Sequence, residues 1–538
     1  MQELSQETKD LASKYLLWQK SLKSKDTPTI HVDEVASKVA GFYEKIRTII
    51  DWKEEHLMKR AAIIRKLKRR FLDLELNNFT TENIAEPLVM ELIRGGYFPN
   101  DKIEESKIGE IQKIIEKYVF ILKHSPENKK GKAGLQFYNN LLEIAACEIE
   151  ETLDPAIREM SLIEYMFNMM RERIKVSDAV YEKNLLKKEE TDIQIYIAVQ
   201  RSLFKLDDPI ISYNVIKYKY PNWQSPSEEE LLKFSQNMYK ILKALEDDLM
   251  HPFGKKFYTI CEKYDTPYLL LGDILTQTDT EQINISIYEP VLLEKSIKEA
   301  YTKRLKDLRA RITRAAIYST ASIFITKILT LMVLGLVIGW IFNEKFNTGF
   351  FIAEILIPTT LMALLVASVR PPSRKNIYLA VMETMKIVYK KDKIDTYEIR
   401  VARKRNFITR LILSLFYVTS TFVSFGLIYW AFSYFGFPLS SIIINIIFIA
   451  LILFAGTAIQ KRSQELTIEE ESEGFLAFVS DILFLPITGM GRWLSNTWKQ
   501  YNAIAALFNA LIDMPFSTFI EFLEGWRYFI KEKKEEIR

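Results

Sequence analysis

Cysteine and histidine are scarce in this chain of 538 residues, which holds two cysteines and four histidines. The two thiols, Cys147 and Cys261, allow at most one disulfide bond, as is typical of proteins in a reducing compartment. The histidines are scattered, and neither an H-x-x-x-H nor a C-x-x-C spacing occurs. We therefore predict buried, inert thiols and no metal site.

Signatures of phosphate binding and catalysis are missing as well. No G-x-x-x-x-G-K-[ST] segment occurs, and the pair Gly95-Gly96 follows no predicted strand, so it indicates a turn between helices. The first 30 residues contain several charges and no apolar run, which predicts that no signal peptide is present. The net charge of +4 is small for this length. We therefore predict no enzyme activity, no cofactor and no nucleic-acid partner.

Four long apolar runs stand out against a chain otherwise rich in Lys and Glu. Each run reaches the roughly 20 residues that a membrane-spanning helix needs. Short turns separate the first run from the second and the third from the fourth, which predicts two transmembrane hairpins, 316–369 and 407–460. The runs are 316–342, 350–369, 407–435 and 438–459.

Lysine and arginine predict the orientation of these hairpins. The segment 370–406 carries eleven Lys or Arg against four Asp or Glu, whereas the two turns at the opposite end carry only Lys345. The segment before the first run is basic, and Lys461 and Arg462 follow the last run. The pattern predicts that 370–406 is a basic cytoplasmic loop and that both chain ends are cytoplasmic.

The spacing of apolar residues predicts helices in most of the remaining sequence. The predicted fold is mainly α, with a large helical cytoplasmic domain in front of the four-helix transmembrane region. This domain comprises an N-terminal subdomain, 1–124, and a second subdomain, 135–290, joined by a polar segment. From Pro290 we expect a basic juxtamembrane helix, 291–315, that continues without a break into the first apolar run.

Two local patterns refine this domain. Ser225 and Pro226 predict the start of a helix, with Glu228 completing its capping box. The segment 268–290, in which Ile283, Ile285 and Ile287 alternate with polar residues, predicts irregular or strand structure.

Two clusters of cations leave alternatives open. The segment Lys59–Arg70 has seven basic residues in twelve, which suits a membrane surface, nucleic acid, or a solvated helix whose charges answer nearby carboxylates. The aromatic and basic segment Lys217–Trp223 suits base stacking or a packed junction between a helix and a loop. In both cases we favour the structural interpretation.

The carboxyl-terminal segment, 461–538, is predicted to form amphipathic helices. Phe475–Ile487 is apolar but too short to span a membrane comfortably, and Pro486 and Gly489 are expected to end it. Tryptophans and tyrosines follow. The pattern fits helices that lie in the membrane interface and equally fits helices that cover the protein.

Two ionisable residues inside the apolar runs, Lys327 and Glu354, are candidates for function by default. Depth argues against a pair, because Glu354 lies about four residues from the outer end of its run and Lys327 lies roughly 22 Å from the outer end of the preceding one. We expect each side chain to snorkel toward the nearer membrane surface.

Basic residues flank the predicted spans on one side, and we expect them to bind anionic lipid headgroups. They come from three places in the sequence that meet at one membrane surface. The candidates are Arg304, Arg309, Arg311, Arg314, Arg370, Arg374, Lys375, Arg403, Lys404 and Arg405.

Three segments resemble parts of uncharacterised multi-pass bacterial membrane proteins. The resemblance covers FKLDDPIISYNVIKYKYPNW (204–223), ASVRPPSRKN (367–376) and FLPITGMGRWLS (484–495). It implies location in the bacterial inner membrane and implies nothing about activity.

The leading functional prediction is a membrane-anchored scaffold or interaction protein, which binds a protein partner or associates with itself. The absence of nucleotide, metal and nucleophile motifs and the very short outer turns favour it. The alternative is an oligomeric transporter or channel component, because four spans with few polar groups make a poor pathway alone.

Overall fold

The computed structural model of the chain describes residues 4–21, 27–32, 59–68, 83–125, 132–277, 287–331, 348–369, 372, 375–389, 395–400, 406–468, 475–500, 522 and 526. Within these residues the protein is mainly helical, as predicted. The predicted strand depends on three isoleucines. Ile283 and Ile285 lie outside the described residues, and Ile287 is helical, not extended.

The chain divides into two compact units. The amino-terminal unit is built chiefly from Gln6–Asp265 with the added segment Ile394–Arg400, and the apolar unit from Thr266–Lys393 and Val401–Asn502. The division follows residue 265, whereas the sequence places the end of the helical domain at residue 290. It differs because Thr266–Gln277, expected to be irregular or strand, is a helix that packs on other helices of the apolar unit.

The labelled helices of the amino-terminal unit are α1 (Gln6–Ser21), α2 (Ala85–Arg94), α3 (Ser106–His124), α4 (Lys132–Leu153), α5 (Ile157–Arg173), α6 (Asp178–Glu182), α7 (Lys188–Leu203), α8 (Asp208–Lys219), α9 (Glu228–Leu249) and α10 (Gly254–Lys263). The unit is organised around α7, which is buried over most of its circumference. Seven consecutive residues, from Gln194 to Gln200, are buried, because α7 packs against α5, α8, α9 and α10.

The predicted capping box at Ser225 is displaced by two residues in the structure. Helix α9 begins after Ser227, whose hydroxyl accepts a bond from the backbone N–H of Glu230 while the Glu230 carboxylate accepts one from Ser227. The sequence offers the same serine-to-acid spacing at both places, and the structure uses the second.

A two-stranded parallel sheet joins distant parts of the amino-terminal unit. Strand β1 (Ile174–Val176) pairs with β2 (Tyr397–Ile399), with Ile174 opposite Tyr397 and Val176 opposite Ile399. The ring of Tyr397 stacks on that of Tyr264 at 4.4 Å between centroids. The predicted basic loop 370–406 therefore contributes a strand to this unit.

The apolar unit consists of long helices. The longest, α12, is unbroken over 41 residues, as the sequence predicts for the region after Pro290. Two segments, Phe407–Tyr434 and Ser441–Ser463, are long and apolar enough to cross a membrane. The helices are α11 (Thr266–Gln277), α12 (Pro290–Thr330), α13 (Thr348–Ala367), α14 (Lys375–Tyr389), α15 (Phe407–Tyr434), α16 (Leu439–Ser463) and α17 (Phe475–Gln500).

Helix α14, which lies within the predicted loop, is held by the side chain of Asn376. Its amide nitrogen donates to the hydroxyl of Tyr301 at 2.8 Å and to the carbonyl oxygen of Leu466, and its amide oxygen accepts from the backbone N–H of Ile468 at 2.9 Å. One buried amide thus ties α12, α14 and the segment after α16 together. Protein contacts of this kind hold this part of the predicted loop.

Helix α17 continues through Pro486 and Gly489, the residues expected to end it. A proline leaves the carbonyl four residues earlier without its usual N–H donor. Here that carbonyl belongs to Ile482 and accepts a hydrogen bond of 2.7 Å from the hydroxyl of Ser420. Ser424 shares its hydroxyl proton between the Leu483 carbonyl and the Ser420 carbonyl of its own helix. The serines of α15 therefore supply the donors that let α17 persist.

Helix α17 also approaches α16 closely at Gly491. A Cβ atom added there would overlap the carbonyl oxygen of Ala450 and lie 2.9 Å from the Cβ of Phe454. Backbone against backbone is possible only because the residue is glycine. This close packing places α17 against the middle of α16.

Gly491→Ala should lower the stability of the apolar unit, because the methyl group has no space and overpacking costs roughly 1–3 kcal/mol. The matched control is Gly426→Ala in α15, where an added Cβ meets nothing within 4 Å and alanine has the better helix propensity. We expect a lower apparent melting temperature in detergent for Gly491→Ala and an equal or higher one for Gly426→Ala. Equal behaviour of the two variants would show that the close approach is wrong.

Candidate functional site

The site centres on Lys327, a lysine with no solvent exposure in the apolar unit. Its ammonium donates to the Oδ1 atom of Asn445 on α16 at 3.1 Å. The same nitrogen lies 4.5 Å from the centre of the Phe448 ring, one helical turn further on, in a cation–π contact. Lys327 is thus enclosed by an amide oxygen and an aromatic face.

The orientation of Asn445 is fixed by its own helix. The Nδ2 group of Asn445 donates to the backbone carbonyl of Ser441 at 3.0 Å, and the residue is fully buried. With the amide nitrogen engaged, the oxygen faces Lys327. The asparagine therefore presents an acceptor at the position that the buried cation requires.

Glu354 on α13 is a second buried ionisable side chain of the apolar unit, 5 % exposed. A buried cation without a polar partner costs several kcal/mol, and Asn445 supplies that partner to Lys327. The site thus joins one polar side chain of α12 to one of α16.

The expected snorkelling of Lys327 and Glu354 is wrong in the structure. Lys327 points into the protein toward Asn445, and both ionisable side chains are buried. Depths compared along straight, separate helices do not reveal that Asn445, on another apolar run, lies within hydrogen-bonding reach of Lys327. A polar residue inside an apolar run was the available signal.

The basic residues proposed for the membrane surface fall into three groups. Arg304 makes a two-bond ion pair with Asp273 on α11, and Arg311 lies 3.8 Å from Glu465. Arg309, Arg314 and Lys375 are exposed and make no ion pair with a described residue. Outside the described residues lie Arg370, Arg374, Arg403, Lys404 and Arg405.

Three cations of the basic segment Lys59–Arg70 pair with carboxylates within the protein. Lys59 bonds Asp154 at 2.9 Å, Lys66 bonds Glu91 at 3.0 Å, and the buried Arg60 bonds Asp207 at 2.8 Å. These pairs agree with a structural role for the segment, but the carboxylates come from distant parts of the chain and Arg60 is buried rather than solvated.

The aromatic segment Lys217–Trp223 is a packed junction. Trp223 is buried, and its indole donates to the Tyr118 hydroxyl at 3.3 Å. Tyr118 donates to Glu148 at 2.7 Å, and Glu148 pairs with the buried Lys117 at 2.5 Å. Burial lowers the pKa of Lys117, and the Glu148 charge opposes that shift. The network satisfies its own members, which identifies it as structural.

A crowded group of carboxylates surrounds Arg60 on the face of α4. Burial raises the pKa of Glu150 to about 7; Arg60 and Lys59 oppose this shift, while Asp154 and Asp207 add to it. One oxygen of Glu150 has no hydrogen-bond partner among the described residues.

Burial likewise raises the pKa of the Cys147 thiol to about 12, so this thiol is protonated and inert.

No protein family, curated protein or solved structure shows significant similarity to the chain. In the part of the chain that the structure describes, no three His, Cys, Asp or Glu side chains are grouped to hold a metal ion.

Lys327→Met should destabilise the apolar unit by about 1–3 kcal/mol, because it leaves the buried Oδ1 atom of Asn445 without the ammonium that donates to it. Adding Asn445→Leu should recover most of the loss, since the double variant leaves no member of this pair buried without its partner. Apparent melting temperatures in detergent for both single variants and the double variant measure this coupling. If the single losses simply add, the two side chains act independently and the site as described is wrong.

Glu150→Gln should change the pH dependence of stability. The pKa of Glu150 is about 7 in the folded chain and about 4.3 when unfolded, so the folded state binds more protons between these values. The free energy of unfolding therefore falls as pH rises through this window. We expect the variant to lose this slope and to be more stable than the wild type at pH 8, on the order of 1–3 kcal/mol.

The control for this experiment is Glu229→Gln, which removes an exposed carboxylate of α9. Its melting curves between pH 5 and pH 8 should follow the wild type. If Glu150→Gln leaves the pH dependence of the free energy of unfolding unchanged, the raised pKa of Glu150 is contradicted.

Proposed function

We propose that this chain is a multi-pass protein of the bacterial inner membrane, and that its helical amino-terminal unit binds a protein partner at the cytoplasmic face. The observation that carries the proposal is the surface of α15. Consecutive side chains are exposed, Leu411, Ile412 and Leu413 among them, although neighbours on a helix point 100° apart.

The exposed surface of α15 therefore extends around most of the helix. Phe422 is 77 % exposed and Trp430 65 %. Soluble monomers rarely expose contiguous apolar patches above a few hundred Å², and each exposed Å² costs roughly 25 cal/mol in water. Hydrocarbon chains of a bilayer remove this cost. Buried Ser420 and Ser424 form the narrow side of α15 that packs on α17.

Four spans in two hairpins are part of the proposal. Helix α12 from residue 316, with α13, forms the first hairpin, and α15 with α16 forms the second. The distribution of Lys and Arg supports cytoplasmic placement of both chain ends. Helix α17 would be an additional membrane-embedded helix, because its hydrogen bonds reach the middle of α15.

The partner-binding function rests on composition and architecture. A unit of some 260 residues, Gln6–Asp265, pairs Lys59, Arg60 and Lys117 with its own carboxylates and offers a large surface for a partner. This favours a scaffold or interaction protein.

Cysteine labelling tests the membrane topology. Asn347→Cys should react with an impermeant maleimide from outside intact cells, and Ser373→Cys only after lysis. The native thiols, Cys147 and Cys261, are buried and give little background. Equal labelling of both sites in intact cells, or release of the protein by alkaline carbonate, would overturn the proposal.

The second candidate function is transport by an oligomer, and the enclosed cation at Lys327 favours it. Ionisable groups inside membranes commonly mark ion or proton pathways. Proteoliposomes distinguish the two functions: an ion or proton flux that Lys327→Met abolishes would favour transport, and the absence of flux in the wild type would favour the anchor.

A further inference from the structure

The cations of α12 from Lys303 to Arg314 differ in whether they have a carboxylate partner. Arg304 and Arg311 have carboxylate partners, Asp273 and Glu465. The remaining cations of this stretch are exposed and make no ion pair with a described residue. They are Lys303, Lys306, Arg309 and Arg314, and the exposed carboxylate among them is Asp307.

The face of α12 that carries these four exposed cations, here called the open face, therefore keeps a net positive charge. Four cations against one carboxylate leave about three charges that the described protein does not neutralise. The charges cluster within eight to eleven residues, or roughly 12–16 Å of helix. Successive cations are three to five residues, or roughly 5–8 Å, apart along the helix. This spacing lies within about one Debye length at physiological salt, so neighbouring charges act on an anion together.

The same face becomes apolar immediately after Arg314. Ile317 and Tyr318 lie three and four residues further on, which places them beside Arg314 on the helix surface. They are 61 % and 64 % exposed, and Ile325 continues the exposed face two turns later. Meanwhile Ile312 and Ile323 pack against the buried residues Met362, Ile452 and Ile459. Among the faces of α12, the open face therefore combines exposed cations that make no ion pair with a described residue and exposed apolar side chains.

We infer that the open face of α12 from Lys303 to Ile325 is a binding site for one class of ligand, an anionic phospholipid of the cytoplasmic leaflet. Arg309 and Arg314 contact the headgroup phosphate, Lys303 and Lys306 add long-range attraction, and the acyl chains cover Ile317 and Ile325. This inference rests on the proposed membrane function and assigns the partner at one surface of it.

A phospholipid fits this surface better than a soluble anion does. A soluble anion would satisfy the cations and leave the adjoining apolar side chains uncovered. An uncharged lipid would cover the apolar side chains and leave the cations unpaired. An anionic phospholipid matches both halves in the order in which they occur along the helix.

Native mass spectrometry of the full chain in detergent tests the inference. The probes are phosphatidylglycerol, phosphatidylcholine and inorganic phosphate. We expect the wild type to retain phosphatidylglycerol in preference to phosphatidylcholine, and Arg309→Gln with Arg314→Gln to weaken phosphatidylglycerol binding by about tenfold. Inorganic phosphate at millimolar concentration should not displace the lipid.

The matched control removes two cations from the same helix further from the apolar surface. Lys295→Gln with Lys298→Gln changes the net charge equally, at positions roughly 28 Å and 24 Å from Arg314 along the helix. It should change phosphatidylglycerol binding by less than about twofold. If the Gln variant does not fold, Arg309→Lys with Arg314→Lys keeps the charge and should preserve the preference for phosphatidylglycerol.

Three results would overturn the inference. They are equal binding of the two lipids by the wild type, equal losses in the test and control variants, and displacement of lipid by inorganic phosphate. None of them affects the proposed function, which fails only if the chain leaves the membrane in carbonate or labels with the wrong topology.

Discussion

The unbroken length of α12 is the constraint on which the apolar unit depends. Forty-one residues in one helix extend for about 60 Å, and each part of that length has a different partner. Arg304 pairs with α11, Tyr301 bonds the asparagine of α14, Ile312 and Ile323 join the core beside α16, and Lys327 bonds Asn445. A break anywhere in α12 would place these contacts out of register with one another.

Several buried polar side chains of the apolar unit have specific hydrogen-bond partners on other helices. An apolar interior offers no water to replace a lost donor or acceptor, so each unpaired group costs several kcal/mol. Asn445 supplies an acceptor to Lys327, Ser420 supplies a donor to the carbonyl left by Pro486, and Asn376 uses its nitrogen and its oxygen at once. These side chains determine which helices meet, because apolar residues alone would pack in several ways.

The sequence predicts the helical class, the continuous helix after Pro290 and the internal pairing of the basic segment, because each depends on local spacing or on charge balance. It does not predict the three-residue parallel strands, since so short a pair has no periodicity and joins residues more than 200 positions apart. Pro486 and Gly489 predicted an end to α17. The helix continues because the hydroxyl of Ser420, distant in sequence, donates to the carbonyl that Pro486 leaves without its usual donor. The Lys327 site was identified by one residue, while its partner Asn445 required the packing of α12 on α16.

The two basic segments show why charge counts do not identify a partner. Lys59–Arg70 has the denser run of cations, yet three of its described members, Lys59, Arg60 and Lys66, pair with Asp154, Asp207 and Glu91. On α12 the cations are more widely spaced, and those of one face have no described counter-ion. What differs is the surface beside the charge: the first segment lies close to carboxylates from other parts of the chain, and the second borders exposed isoleucine and tyrosine. We therefore propose that an anionic ligand with an apolar body binds the segment with the lower charge density, because there both of its parts have a surface to contact.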